Sequence, residues 1–441
     1  MAVIVALSAS NGVSATAIAA PAWSKPVTLG PTGREGGTPE IAVTPDGEAV
    51  VVWEGGQPKG IQVTSRRPGQ DWGPPLLLRR GSETDPQIAA TGRKAVVVWG
   101  DDIEARGVEA SAIFAATRQR GGRWSKPRNI AAEKGGLYES EGRDPQVAIT
   151  RRGEAIAMWT AGDERHSSFS FIRASTQPLR GGWTAPHGLR GSIEGEEPQL
   201  GVTPKGEAVA IWNAYYNEES GIEVASRPPG GKWSYVKRLA NPGAFPDPRL
   251  AITSTGEAVA AWEFEEPSHG LQEATRKPRG RWSVRTLAPP ESEAFSAPQV
   301  VAEPGGAAAV VWARSIFRSG SEREEDAVAT HRRDGAWTEP VSLFGEGVAL
   351  RRPAIAVTGS GEWIAMWSSV GPEGETAIQA SSRGLGQPWE APVNVSGSPA
   401  ARPSGSSDLR VAVAPSGEAF AVWRAYDGTR WVIEAATRPP A

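Results

Sequence analysis

The sequence predicts an all-β protein: one eight-bladed β-propeller of four-stranded antiparallel blades, closed by an N-terminal strand that completes the last blade. Three observations predict it. A strand-like phrase ending in Trp recurs at Trp53, Trp99, Trp159, Trp212, Trp262, Trp312, Trp367 and Trp423. A second Trp, in phrases such as Gly-Gly-x-Trp-Ser-x-Pro, follows most of them, at Trp72, Trp124, Trp183, Trp233, Trp282, Trp337 and Trp389. The eighth copy of that second phrase, at Trp23, stands at the opposite end of the chain. A strand-built repeat of roughly 50 residues is a propeller signature, and a repeat split between the two ends is how a propeller closes.

The fourth unit shows why each element forms. Pro198 opens an alternating, β-rich run to Thr203, read as strand a, and Pro204-Lys205-Gly206 turns the chain. The run from Glu207 to Trp212 is strand b, and the run from Ile222 to Arg227 is strand c. Pro228, Pro229, Gly230 and Gly231 make a second turn, after which Trp233 opens strand d. Apolar alternation bounded by Gly/Pro turns is the physical signal for each strand. The eighth unit ends without a strand d, and the run from Ala22 to Leu29 supplies the missing piece, so joining the ends leaves no open sheet edge. The repeated tryptophans fit blade-to-blade packing. The repeated Glu of Gly-Glu-Ala (Glu48, Glu154, Glu207, Glu257, Glu362, Glu418) and the Arg closing strand c (Arg66, Arg118, Arg227, Arg276, Arg332, Arg383, Arg438) are expected to form structural ion pairs between strands b and c of one blade.

Composition narrows the function classes. The formal net charge of the 441 residues is −3, which lacks the basic footprint of a nucleic-acid binder. There is no Cys, which removes disulfides, thiolate chemistry and Cys-based zinc sites. Residues 1–20 form a segment free of charged residues, with a short apolar stretch and Ala17-Ile18-Ala19 as a cleavage pattern. That segment reads as the back half of a secretory leader or a disordered tail, ahead of a propeller at 21–441. No stretch is long and apolar enough for a transmembrane helix. A secreted or cell-surface monomer is therefore expected.

Chemistry is expected on the face that carries the long b–c loops and the connections into strand a, because binding groups collect on variable loops over a rigid scaffold. The residue before strand a is Thr38, Asp85, Asp144, Glu197, Asp247, Ala297, Arg352 and Asp408 in successive units. Strand a lines the channel of a propeller, so Asp85, Asp144, Glu197 and Asp247 form a consecutive arc of carboxylates at its mouth. Such an arc is a candidate metal site, with calcium as the cofactor it would hold, or a seat for a basic ligand. Asp before Pro also favours a turn, which gives the same residues a purely conformational reading.

Aromatic residues outside the repeat form the second candidate set: Tyr215, Tyr216, Phe264, Phe317, Tyr426 and Trp431, with Asn217 and Asp427 beside them. Rings next to amides and carboxylates grip sugars or peptides by stacking and hydrogen bonding, or they seal the channel and blade edges. No Gly-x-Ser-x-Gly, P-loop or dinucleotide fingerprint is present, and His166, His187, His269 and His331 lack zinc-ligand spacing.

The turn and strand-d phrase Ser226-Arg-Pro-Pro-Gly-Gly-Lys-Trp233 resembles a degenerate Asp-box, the Ser-x-Asp-x-Gly-x-x-Trp turn of bacterial sialidase-like extracellular propellers. The Ser/Thr, Gly and Trp persist here. The Asp is mostly replaced, and Asp334-Gly335 before Trp337 comes nearest to it. The resemblance runs from Pro21 to Ala441 and implies an extracellular propeller. Catalytically active sialidases have six blades, an Arg-Ile-Pro motif, an arginine triad and a Tyr–Glu pair, whereas this chain reads as eight blades and has no Arg-Ile-Pro. Eight-bladed quinoprotein dehydrogenases repeat Trp too, but their docking motif and adjacent cysteines are absent. The reading drawn from all this is a non-catalytic module that recognises carbohydrate or an extracellular protein. The competing reading is a sialidase-like glycoside hydrolase or a polysaccharide lyase that uses loop carboxylates.

Overall fold

In the computed structural model the chain forms eight antiparallel sheets that follow one another around a ring. The structure describes residues 22–32, 37–81, 83–105, 108–132, 142–163, 166–189, 194–216, 219–243, 246–265, 270–288, 293–317, 323–333, 335–342, 351–370, 376–384, 387–396 and 409–440. The leader-like segment 1–20 and Asp408 lie outside them. The sheets are blade 1 (40–80), blade 2 (83–129), blade 3 (142–188), blade 4 (195–240), blade 5 (249–288), blade 6 (293–342), blade 7 (351–394) and blade 8 (410–438 with 27–31). Each blade runs a-b-c-d from the channel outwards, and blade 6 carries an extra short outer strand.

Closure is as the split repeat predicts. Val27–Pro31 lies antiparallel to Trp431–Arg438, pairing Val27 with Ala435 and Pro31 with Val432. The same segment is tied to blade 1. Thr32 bridges Gly55, its hydroxyl donates to the Glu54 carbonyl at 2.8 Å, and the Trp53 indole donates to the Pro31 carbonyl at 3.2 Å. Trp23 joins the blade 7–blade 8 core with Ile364, Val395 and Trp423.

Strand b is the buried spine of each blade, with the stretch from Ala49 to Trp53 0% exposed. Both faces of this strand are covered by neighbouring blades, so it reads as a continuous apolar run rather than an alternating one. Every strand-b Trp is at most 1% exposed. Each reaches back to the preceding blade: Trp53 packs on Val422 and Ile433, Trp99 on Val52 and Ile61, and Trp212 on Met158 and Ile172. Most of the a–b turns close on the hydrogen-bond pattern of blade 1, in which Thr44 N–H donates to the Glu48 carbonyl, and Gly47 and Glu48 N–H groups donate back to Thr44. Gly47 holds φ +84°, a conformation that suits a residue without Cβ.

Two local expectations differ from the structure. The second Trp phrase is an extended crossing rather than strand d itself in most blades; in blade 4 the outer strand is Lys237–Ala240, beyond Trp233. The Glu–Arg pairs link neighbouring blades, not strands b and c of one blade. Glu48 pairs with Arg118, Glu154 with Arg227, Glu207 with Arg276, Glu257 with Arg332, Glu362 with Arg438 and Glu418 with Arg66. Within a blade the two side chains leave opposite faces of the sheet, so each finds its partner across the inter-blade seam.

Candidate functional site

The sequence places a carboxylate before strand a in four successive blades, and the ring brings all four to one cavity. Asp85, Asp144, Glu197 and Asp247 line a space of ≈ 730 Å³ at the channel mouth, to which all eight blades contribute.

Local geometry explains how they get there. The a–b ladders of blades 2, 3 and 4 shift register between Thr84 and Gln87, Arg143 and Gln146, and Glu196 and Gln199. In each, two residues, a carboxylate and a Pro, lie opposite the single strand-b Trp. Pro has no N–H for the ladder, so a bulge is where it fits. The carboxylate residues sit at φ 49° (Asp85), 52° (Asp144) and 50° (Glu197). A residue with a Cβ in this left-handed region carries strain of roughly 1 kcal/mol or more. The conformational and functional readings of Asp-Pro therefore meet in one feature, because the bulge re-aims the carboxylate towards the mouth. Asp247 is held differently: Arg249 two residues on grips it with both terminal nitrogens, one contact being 2.6 Å.

The electrostatics of the arc follow from crowding. Burial pushes Asp85 up. Burial also raises Asp144, against the opposing pull of Arg143, with Asp85 and Glu196 adding repulsion. Glu197 is pushed up to about 7, first by desolvation and then by Asp247 and Asp144 on either side. Asp85 and Glu197 are exposed to channel water and Asp144 and Asp247 are half-buried, so solvent screens part of this repulsion. A carboxyl that titrates near neutrality, flanked by further carboxylates, can donate or accept a proton at physiological pH. Among the described residues no group of three or more His, Asp or Glu is placed to hold a metal ion.

Sequence reasoning missed the polar lining around the arc. Gln87, Gln146, Gln199 and Gln299 line the same cavity, as do Arg249, Glu263, Glu40 and Arg410. The repeated Pro-Gln dipeptide was the available signal: one residue after the bulge, the inner strand presents a carboxamide to the channel. Arg410 is not a spare cation, since it is bound to Glu40 at 2.8 Å.

The aromatic candidates that the structure describes do not line this cavity. Phe264 is a core side chain, 6% exposed. Tyr426 and Trp431 face each other across the last hairpin with ring centroids 5.5 Å apart, and Arg424 lies over Trp431 at 4.8 Å. Asp427 is the turn residue of that hairpin, accepting from the Thr429 and Arg430 N–H groups at 2.8 and 2.9 Å and from the Thr429 hydroxyl at 2.7 Å. Those donors hold its carboxyl down at about 2. Tyr215 continues strand b of blade 4 and pairs with Ser220. None of Phe264, Tyr215, Tyr426, Asp427 and Trp431 lines the channel-mouth cavity. Asn217 and the side chains of Tyr216 and Phe317 lie outside the described structure.

No family model and no curated protein matches the chain. Solved structures do resemble it. A polysaccharide lyase is similar with a TM-score of 0.50 and 10% identity, over 80% of this chain and 90% of that one. An ulvan lyase is similar at 0.46 and 10% identity, over 94% of both chains. An α-L-arabinofuranosidase from Fusarium graminearum is similar at 0.43 and 13% identity, over 67% of this chain and 93% of its own. At such identities the likeness shows the fold alone. The expectation of a non-catalytic recognition module is corrected to this extent: the fold is shared with a polysaccharide lyase, so it does not mark a module without chemistry. Of the aromatic candidates that the structure describes, Tyr215, Phe264, Tyr426 and Trp431 do not line the mouth. No helix among the described residues is long and apolar enough to cross a membrane.

Proposed function

We propose that the chain is a glycan-active enzyme whose acid–base chemistry runs on the carboxylate arc at the channel mouth. The observation that carries this reading is the convergence of Asp85, Asp144, Glu197 and Asp247 on one cavity, three of them held in strained bulges. Glycosidic cleavage needs one carboxyl that is protonated at working pH and a second that is not. Glu197 is the acid: it gives its proton to the glycosidic oxygen as the C–O bond breaks. Asp144 is the carboxylate partner that steadies the oxocarbenium-like centre and takes a proton from the attacking water. Asp247, tied to Arg249, positions the pair by raising Glu197. The glutamines of the inner strands offer donors and acceptors to sugar hydroxyls.

Hydrolysis of a neutral glycan fits better than elimination on a polyuronate. Among the described residues six carboxylates line the mouth (Glu40, Asp85, Asp144, Glu197, Asp247, Glu263), against two guanidiniums that are both paired, Arg249 and Arg410. Such a field repels an anionic chain, and among the described side chains it provides no unpaired cation to neutralise a uronate carboxylate. An exported or cell-surface location goes with this reading, since polysaccharides lie outside the cell.

The test is release of reducing ends from a panel of neutral and uronate polysaccharides, with and without added calcium, by the wild type and by Glu197→Gln. Cleavage of a neutral glycan with a loss of roughly 10²–10⁴-fold in the variant supports the assignment. Equal rates for the two proteins, or unsaturated products from a uronate, would overturn it.

A further inference from the structure

The opposite face of the ring carries a second concavity of contrary charge. There the a–b turns of blades 1, 2 and 3 and the c–d turns of blades 2 and 3 enclose a groove of ≈ 1130 Å³. Its floor includes Val43, Pro45, Ile149 and Leu179, and its rim carries Arg93, Arg120, Arg151 and Arg180. All four arginines are exposed. Arg120 makes an ion pair with Asp46 at 3.0 Å, with the side chains 70% and 46% exposed, so water and salt loosen it readily. Arg93, Arg151 and Arg180 have no ion-pair partner among the described residues.

We propose that this groove is an anchoring site for an anionic polysaccharide chain, separate from the catalytic mouth; in taking a glycan as the partner, the proposal rests on the function argued above. Four guanidiniums against one carboxylate make a local positive field on a chain whose net charge is −3. Guanidinium forks match carboxylate and sulfate groups in two-point contacts, which is the chemistry a polyuronate or a sulfated glycan presents. The span across three blades suits an extended polymer with repeated charges better than a single small anion. No aromatic residue lines the groove, so it lacks the stacking platform that single-stranded nucleic acid uses. The two faces then divide the work: one holds the protein on an acidic matrix and the other, repelled by that matrix, cuts neutral chains.

The experiment measures binding of the full chain to immobilised polygalacturonate (carboxylates) and heparin (sulfates), with neutral arabinan and duplex DNA as controls, at low and high salt. The variants are Arg93→Glu/Arg151→Glu/Arg180→Glu, the milder triple change to Gln, and Glu197→Gln. The proposal expects salt-sensitive binding to one or both anionic glycans and weaker binding to arabinan. It expects a loss of roughly tenfold or more in the triple charge reversal, with thermal unfolding unchanged. If the reversal fails to fold, a graded loss in the Gln triple variant carries the same meaning. Glu197→Gln should bind as the wild type does. Arabinan or DNA bound as tightly as the anionic glycans would overturn the proposal, and so would full binding by a folded arginine variant. Anionic binding that persists in a protein inactive on every glycan would refute the catalytic reading and leave this one standing.

Discussion

Arg66 Nη1 lies 2.8 Å from Glu418 Oε1, joining the first blade to the last across 352 positions of sequence. It repeats, at the seam where the ring closes, the link that Arg227–Glu154 and Arg332–Glu257 make between sequential blades. The side chains are only 14% and 17% exposed, so removing one partner leaves a poorly solvated charge. Glu418→Ala should lower stability by about 1–3 kcal/mol, less than for a fully buried pair because some water reaches it. Denaturant unfolding measures this, and an unchanged midpoint would mean that the link is ornamental.

The closing strand should matter more than any one ion pair. Deleting residues 22–31 removes the outer strand of blade 8, the Trp23 contact and the ties to blade 1. The whole ring should unfold at a lower temperature, in one transition. A variant that melts as the full chain does would show that the split blade is dispensable.

Trp212 tests the packing between blades. It is 0% exposed and its indole donates to Glu223 at 3.2 Å. Trp212→Ala should cost about 3–5 kcal/mol, as deletion of a large buried ring usually does. A loss well under that range would show that blade 4 collapses around the cavity.

Glu197 should make stability depend on pH. Its carboxyl titrates near 7 in the folded chain against an ordinary value of 4.5. A raised acid contributes stability that is complete below the ordinary value and is lost as pH rises through the folded one. Glu197→Gln abolishes that loss, so its melting temperature should exceed the wild type's above pH 7 and converge with it near pH 4.5. Parallel curves across that window would sink the assignment of Glu197 as the perturbed acid.

Lys94 gives an independent pH signature of opposite sense. In blade 2 it stands where other blades carry the seam Glu, and Gln177 of blade 3 replaces the Arg, accepting from Lys94 Nζ at 3.2 Å. Burial lowers its ammonium to about 8 from 10.5. The folded chain therefore releases a proton before the unfolded chain does, and stability attributable to Lys94 grows from pH 8 towards 10.5. Relative to Lys94→Met, the wild type should gain melting temperature across that interval, and a constant difference would count against a desolvated amine.

The sequence by itself determined the architecture, because a blade is a local event. Alternation, Gly/Pro turns and a buried Trp are written within each ~50-residue unit, and the stray Trp23 phrase announced the closure. It also marked Asp85, Asp144, Glu197 and Asp247, since repeats align equivalent positions. Only the tertiary structure decided what those residues meet. Whether Glu48 pairs within its blade or with Arg118 of the next depends on which sheet face each side chain leaves. That Tyr426 and Trp431 pack on each other, and that Phe264 turns inwards, depends on hairpin geometry that a list of aromatics does not contain. The neutral-pH acid and the arginine groove arise from groups far apart in sequence brought close in space. Repulsion and desolvation are properties of distance and surroundings, which a linear chain does not express until the ring has closed.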